Sequence, residues 1–200
     1  AERHLGTTIR LHVDAAQAPL WLPCDMPRLG ADLLSLDGGK CGGGKGVGAL
    51  VIKKGVAIEP RLRGGGQERG LRPGTEPLPL VAAFATAFEE AQVGVVARRE
   101  RVTAVRDYAR TALASRLPQA MWNGPDGDLR VANNIHISIP GLDAEFAVIS
   151  LDAKGVACST KSACSTKGGG ASTVVLAMTG DDARARSTIR FTLGPETTTA

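Results

Sequence analysis

The chain has 200 residues, 43% of them apolar, which gives room for one ordinary domain or two small ones and excludes wholesale disorder. Lys plus Arg number 24 against 20 Asp plus Glu, a net charge of +4. With no basic stripe interleaved with aromatics, that excess is too thin to point to nucleic acid.

No run approaches the roughly 18 consecutive apolar residues of a membrane helix, and no charged-then-apolar secretion signal opens the sequence. A cytoplasmic, reducing setting is therefore expected, with no membrane partner. The four cysteines, Cys24, Cys41, Cys158 and Cys164, are too scattered for a disulfide scaffold and lack the spacing of a zinc site. Glycine accounts for 25 residues, above the usual level of about 7%, and is clustered, which marks special backbone sites.

In chain order, Thr8 to Val13 is a β-branched run that reads as a strand stopping before Asp14. Ala31 to Leu36 reads as a second strand, followed by Asp37-Gly38-Gly39-Lys40, and Val47 to Lys53 as a third. Arg63 to Pro77 holds five glycines and two prolines in fifteen residues, so it is a loop, and a loop this long is usually functional. From Leu80 to Leu117 apolar residues recur at helical steps, with Gly94 a candidate break and Pro118 the end. Such a region is long enough to bridge two domains. Beyond it come a strand over 134–139, a helix over 144–153, a short strand near Val156, a polar loop over 158–170, a helix over 172–178 and a strand over 188–193. There is no internal repeat. Strands alternating with helices give an α/β class.

Three features carry chemistry together: Asp14-Ala-Ala-Gln17 after a strand, Lys40 among glycines at a strand end, and a cysteine in a Ser/Thr/Gly loop with Arg190 on a later strand. A lysine so placed can form a Schiff base, and an acidic residue can hold a pyridinium nitrogen. Taken singly, each residue is more often a surface lysine, a strand-end cap or a buried thiol.

The segments that link them are His12 to Gln17, Ser35 to Lys40, Gly46 to Leu50, Gly64 to Glu76, Ser162-Ala163-Cys164 and Ser187 to Phe191. Their order and wording resemble the cysteine desulfurases, in the class V branch of the fold type I pyridoxal phosphate enzymes. The Gly-Gly-Gly-Gln-Glu-Arg-Gly block joined to Ser-Ala-Cys downstream is the most specific part. The resemblance implies a partial cofactor-binding large domain over 1–96, and a long helix with a small carboxy-terminal domain over 97–200.

It also implies roles. Lys40 would carry pyridoxal phosphate and shuttle the Cα proton. Asp14 would hold the pyridine nitrogen, and Gln17 the phenolic oxygen. Thr75 would reach the cofactor phosphate of a neighbouring subunit, which requires a homodimer. Arg190 would bind the substrate carboxylate. Cys164 would be the nucleophile, taking sulfur from L-cysteine as a persulfide and releasing L-alanine. Lys161 and Lys167 on either side would favour its thiolate. The sulfur acceptor would be an iron–sulfur scaffold or another acceptor protein.

The chain departs from the family at Asp37, where a Ser or Thr is usual, and at Gly39, where a His is usual. Gly42 and Gly44 replace an aromatic or His and a proline, which is expected to loosen the turn. Lys161 stands where Gly is usual. Relatives are about twice as long, so the expectation is a carboxy-terminal portion, a split product or a degenerate copy. Another class V enzyme, such as a selenocysteine lyase or an aminotransferase, and a non-catalytic partner-dependent fragment remain the alternatives.

Overall fold

The computed structural model describes residues 9–160 and 170–199. The chain divides into two compact units, 1–98 and 99–200. Among the described residues no single helix is long and apolar enough to cross a membrane.

In the first unit, β1 (His12–Asp14), β2 (Leu33–Asp37) and β3 (Gly48–Ile52) form one sheet in that order. β1 runs parallel to β2, with Asp14 beside Ser35. β2 runs antiparallel to β3, with Asp37 beside Gly48. The strand expected over 8–13 is shorter and displaced, so Asp14 is the last residue of β1 and not the residue after it. Ile9 to Leu11 fall outside the strand, and the Leu11 N–H donates to the side chain of Asp32 at 3.1 Å.

Alternation along β2 buries Leu34 and Leu36 on one face. They pack with Ala15, Cys41, Phe84 and Ala91 into the core of this unit. The opposite face carries Ser35 and Asp37. α1 (Met26–Leu29) is a single turn closed by Gly30 in the left-handed region.

α2 (Leu78–Val93) starts with a proline in its first turn, where no N–H is needed. It covers the core with Phe84, Phe88 and Ala91, spaced on one helical face. The two rings meet edge to face at 6.1 Å. Gln92 at the end of α2 clamps the segment after β1. Its amide oxygen accepts from Cys24 N at 2.7 Å, and its amide nitrogen donates to the carbonyls of Pro19 and Leu22. The turn carrying Gln17 is thereby tied to a helix.

The helical region breaks at Gly94, so α3 (Val95–Arg116) is a separate helix and there is no continuous rod. The second unit contains β4 (Met121–Trp122), β5 (Asn134–Ser138) and β6 (Thr188–Thr192), all antiparallel, in that order. Val102, Ile135, Ile137, Val175 and Ile189 are among its buried apolar residues. A buried polar chain stands beside them: Asn123 donates to Ser138 Oγ at 2.8 Å, and Ser138 Oγ meets Thr188 Oγ1 at 2.7 Å. Arg184 Nε donates to the Asn123 amide oxygen at 2.9 Å, which leaves the buried amide satisfied.

α4 (Ala144–Asp152), α5 (Thr173–Thr179) and α6 (Asp182–Arg186) are each capped at the N-terminus, by Asp143, Ser172 and Asp181 respectively. The strand expected near Val156 does not form. The Val156 N–H closes the end of α4 on Leu151 O at 2.9 Å, and Gly155 turns the chain with φ +77°. The extended pairing comes later, as a single bridge between Ser159 and Arg190.

Candidate active site

Asp14 ends β1 beside Ser35 of β2, so both strands deliver polar residues to the same carboxyl edge, where α/β sites form. The Asp14 side chain is exposed, and its Oδ1 accepts from Ala16 N at 3.0 Å. Gln17 is exposed in the turn that follows. His12 and Ser35 belong to the same polar face, with His12 Nε2 and Ser35 Oγ 2.7 Å apart. Sequence reasoning missed these two residues. The signal was the period-two pattern His12-x-Asp14 and Ser35-x-Asp37, which puts both pairs on the face away from the core.

Lys40 closes a short 3-10 turn, Gly38 to Lys40, directly after β2. Asp37 caps it: Oδ1 accepts from Gly39 N at 2.9 Å, while Oδ2 lies 3.6 Å from Lys40 Nζ. The N–H groups of Cys41 and Gly43 both donate to Gly38 O.

The glycines here meet specific backbone demands. Gly42, Gly44 and Gly46 have φ of +92°, +86° and +92°, which only glycine adopts cheaply. Gly43 lies so close to α2 that a Cβ would stand 2.6 Å from Phe84 Cα. The run therefore seats the Lys40 turn against the helix. Gly43→Ala is expected to cost about 1–3 kcal/mol by overpacking, read as a lowered urea midpoint with an unchanged m-value. An unchanged midpoint would show that the turn can move away from the helix at no cost.

Thr75 is exposed on the glycine-rich loop, which Gln67 closes by accepting from Gly74 N at 3.2 Å. Glu68 and Arg69 hold φ of +48° and +59° in succession. Two non-glycine residues in that region store backbone strain of a kind that concentrates at functional sites.

In the second unit, Arg190 sits in the middle of β6. On one side its backbone bonds Ser159 in both directions, at 2.7 and 3.0 Å. On the other it stands opposite His136 of β5. Arg190 Nε is buried with no hydrogen-bond partner among the described residues. A guanidinium N–H left so is a donor awaiting an acceptor, because burying it unpaired is costly.

Burial holds His136 down to about 4, helped by the charges of Arg190 and Arg130. The folded protein therefore keeps this imidazole neutral while the unfolded chain protonates it near 6.5. Stability present above the unfolded value is lost as pH falls from 6.5 towards 4. Chemical denaturation at pH 7, 5.5 and 4.5 should show that loss in the wild type and a shallower one in His136→Gln. Identical slopes would assign the acid sensitivity elsewhere.

Cys164, with Lys161 and Lys167, lies outside the described residues. The other three thiols are pushed up from their ordinary value, each chiefly by burial. Cys41 adds to the shift at Cys24, Asp37 at Cys41, and Asp152 at Cys158.

The structure thus brings Asp14 and Lys40 to one edge of the first sheet and ties the Gln17 turn beside it. Among the described residues no hydrogen bond or ion pair joins Asp14, Gln17, Lys40 and Thr75 to one another, and Arg190 belongs to the second unit. A cavity of about 590 Å³ in that unit, lined by Leu142, Asp143, Glu145, Arg186 and Ser187 among others, contains none of these residues.

The chain is 36% identical over 186 residues to an IscS-like cysteine desulfurase of Mycobacterium tuberculosis, covering 93% of this chain and 47% of that protein. It is 39% identical over 190 residues to cysteine desulfurase IscS of Dictyoglomus turgidum, covering 95% and 48%. The fold matches a solved NifS-like protein with TM-score 0.85 at 29% identity, over 99% of this chain and 50% of that one. It also matches SspA, solved in complex with cysteine, with TM-score 0.66 at 28% identity over 95% and 52%. The chain spans about half the length of these relatives. The profile described as Aminotransferase class-V matches residues 3–200, and the chain belongs to that family.

Proposed function

We propose that this chain carries the lysine-bearing portion and the nucleophilic cysteine of a pyridoxal phosphate-dependent cysteine desulfurase. The observation that carries the reading is the paired delivery of Asp14 and Lys40 to the carboxyl edge of the parallel β1/β2 pair.

The residues present fit the cofactor. Asp14 Oδ1 accepts from Ala16 N, while among the described residues its second carboxylate oxygen has no hydrogen-bond partner, and the exposed side chain leaves it open to a pyridine nitrogen. The Lys40 side chain is 44% exposed and among the described residues pairs only with Asp37, so its amine is reachable. Asp14, Gln17 and Lys40 would hold the ring, and Thr75 would reach the phosphate across a homodimer. When bound, pyridoxal phosphate supplies the electron sink that weakens bonds around the substrate's Cα.

The chain's own groups do the rest. Asp14 keeps the proton on the ring nitrogen, and Lys40 Nζ moves a proton at the substrate's Cα. Arg190, with a buried N–H lacking an acceptor, takes the substrate carboxylate in a charge-assisted bond. The Cys164 thiolate attacks the sulfur of L-cysteine. The carbon–sulfur bond breaks, a sulfur–sulfur bond forms, and L-alanine leaves, so L-cysteine and a thiol become L-alanine and a persulfide. Chain connectivity favours this pairing. Ser159, bonded to Arg190, is five residues before Cys164, a span of at most about 18 Å. An iron–sulfur scaffold in the cytosol would then accept the sulfur.

The test is alanine release from L-cysteine by the chain supplied with pyridoxal phosphate, alone and with the remainder of a relative's chain. Release in either form supports the reading. Absence in both, with no Lys40-dependent visible absorption, overturns it in favour of a non-catalytic fragment.

A further inference from the structure

The Lys40 turn contains a contact that the proposed activity leaves unexplained. Asp37, the last residue of β2, divides its carboxylate between two tasks. Oδ1 holds the Gly39 N–H at 2.9 Å and so closes the turn that presents Lys40. Oδ2 lies 3.6 Å from Lys40 Nζ. Directly across on β3 stands Gly48, which has no side chain to compete for either oxygen. The turn is fixed from behind by Gly38 N donating to Val47 O at 3.0 Å and by the close approach of Gly43 to Phe84. Lysine and aspartate are therefore both anchored at the backbone and meet at the sheet edge, not by chance encounter of two long surface chains.

We propose that Asp37 is a positioning residue that restrains Lys40: it builds the lysine's turn with one oxygen and holds the lysine's ammonium with the other, so Lys40 joins an aldehyde only by leaving Asp37. The inference rests on the reading of Lys40 as the carbonyl-binding amine and deepens it. In the condensation, the ammonium gives its proton to solvent. Nζ then bonds the aldehyde carbon, and the aldehyde oxygen departs as water with two protons from the amine. Each condensation first breaks the ion pair, so the pair sets how much aldehyde is needed to occupy the lysine. A half-exposed pair of this kind shifts such an equilibrium by about two- to fivefold.

The variant that separates the two tasks is Asp37→Asn. Its side-chain oxygen can still accept from Gly39 N, while the charge facing Lys40 is gone. Asp37→Ser offers a cap acceptor of another shape and serves as the second variant. Each protein, full chain, is incubated with sub-saturating pyridoxal phosphate or with pyridoxal, which has the same ring and aldehyde without the phosphate. Borohydride reduction followed by peptide mass analysis then reads the fraction of Lys40 modified. Both variants should raise that fraction about two- to fivefold with both aldehydes.

No change with either aldehyde overturns the inference and leaves the reading of Lys40 standing. A gain with pyridoxal phosphate alone also overturns it, because Asp37 would then act on the phosphate and not on the lysine. No modification of Lys40 in any of the three proteins overturns the reading of Lys40 itself, and the inference with it.

Discussion

Lys40→Ala is expected to abolish the visible absorption that pyridoxal phosphate gives on binding, and to lower alanine release by on the order of 10³-fold or more. The size follows from two losses at one atom. The amine is the covalent attachment for the aldehyde, and it is also the base placed at the substrate's Cα. The surrounding structure predicts that the fold survives the change. Lys40 is exposed, ends its turn, and contributes nothing to the core formed by Leu34, Leu36 and Phe84. Unchanged thermal unfolding with a lost absorption band would tie the effect to the amine. Retention of the band in Lys40→Ala would move cofactor attachment to another residue.

Cys164→Ser should eliminate the protein-bound persulfide formed from L-cysteine while leaving the Lys40-dependent absorption in place. The argument comes from the other thiols. Cys24, Cys41 and Cys158 are each held above the ordinary thiol value by burial, so at pH 7 each carries less thiolate than a free cysteine. Cys41 is also enclosed in the first core, where its Sγ donates to Gly38 O at 3.4 Å. Their thiolate fractions rise only as pH climbs towards and past 9. Mild alkylation at pH 7 should therefore label Cys164 first, and raising the pH should bring in the others, with Cys41 last because it is enclosed. Persulfide surviving in Cys164→Ser would assign sulfur transfer to Cys158, whose position one residue before Ser159 puts it next to the Arg190 row.

Much of this was legible in the residues, and the parts that were not have identifiable causes. The helix break at Gly94, the glycine-rich loop before α2 and the α/β class follow from local chemistry: a residue without a Cβ, a composition that cannot hold a helix, and a change of apolar period. Lys40, Asp14 and Arg190 stood out as candidates for an aldehyde, a ring nitrogen and a carboxylate only once the family resemblance was added to their residue types. Local pattern also misled. Val156 has strand character, yet its N–H is spent on ending α4, because a helix terminus one turn earlier leaves a carbonyl to satisfy. The close approach of Gly43 to Phe84, between Gly42 and Gly44, had no signal in the local pattern.

By itself, then, the sequence determined which chemistry the chain can hold and which stretches can be helix, strand or turn, because those depend on side-chain type and on near neighbours. The tertiary structure alone decided the register that aligns Asp14 with Ser35, the unpaired N–H of Arg190 beside the neutral His136, and the double engagement of Asp37. The first two rest on strands that meet from distant parts of the chain, and the third on the turn that follows β2. A slip of one residue in any pairing would turn the polar face into the core.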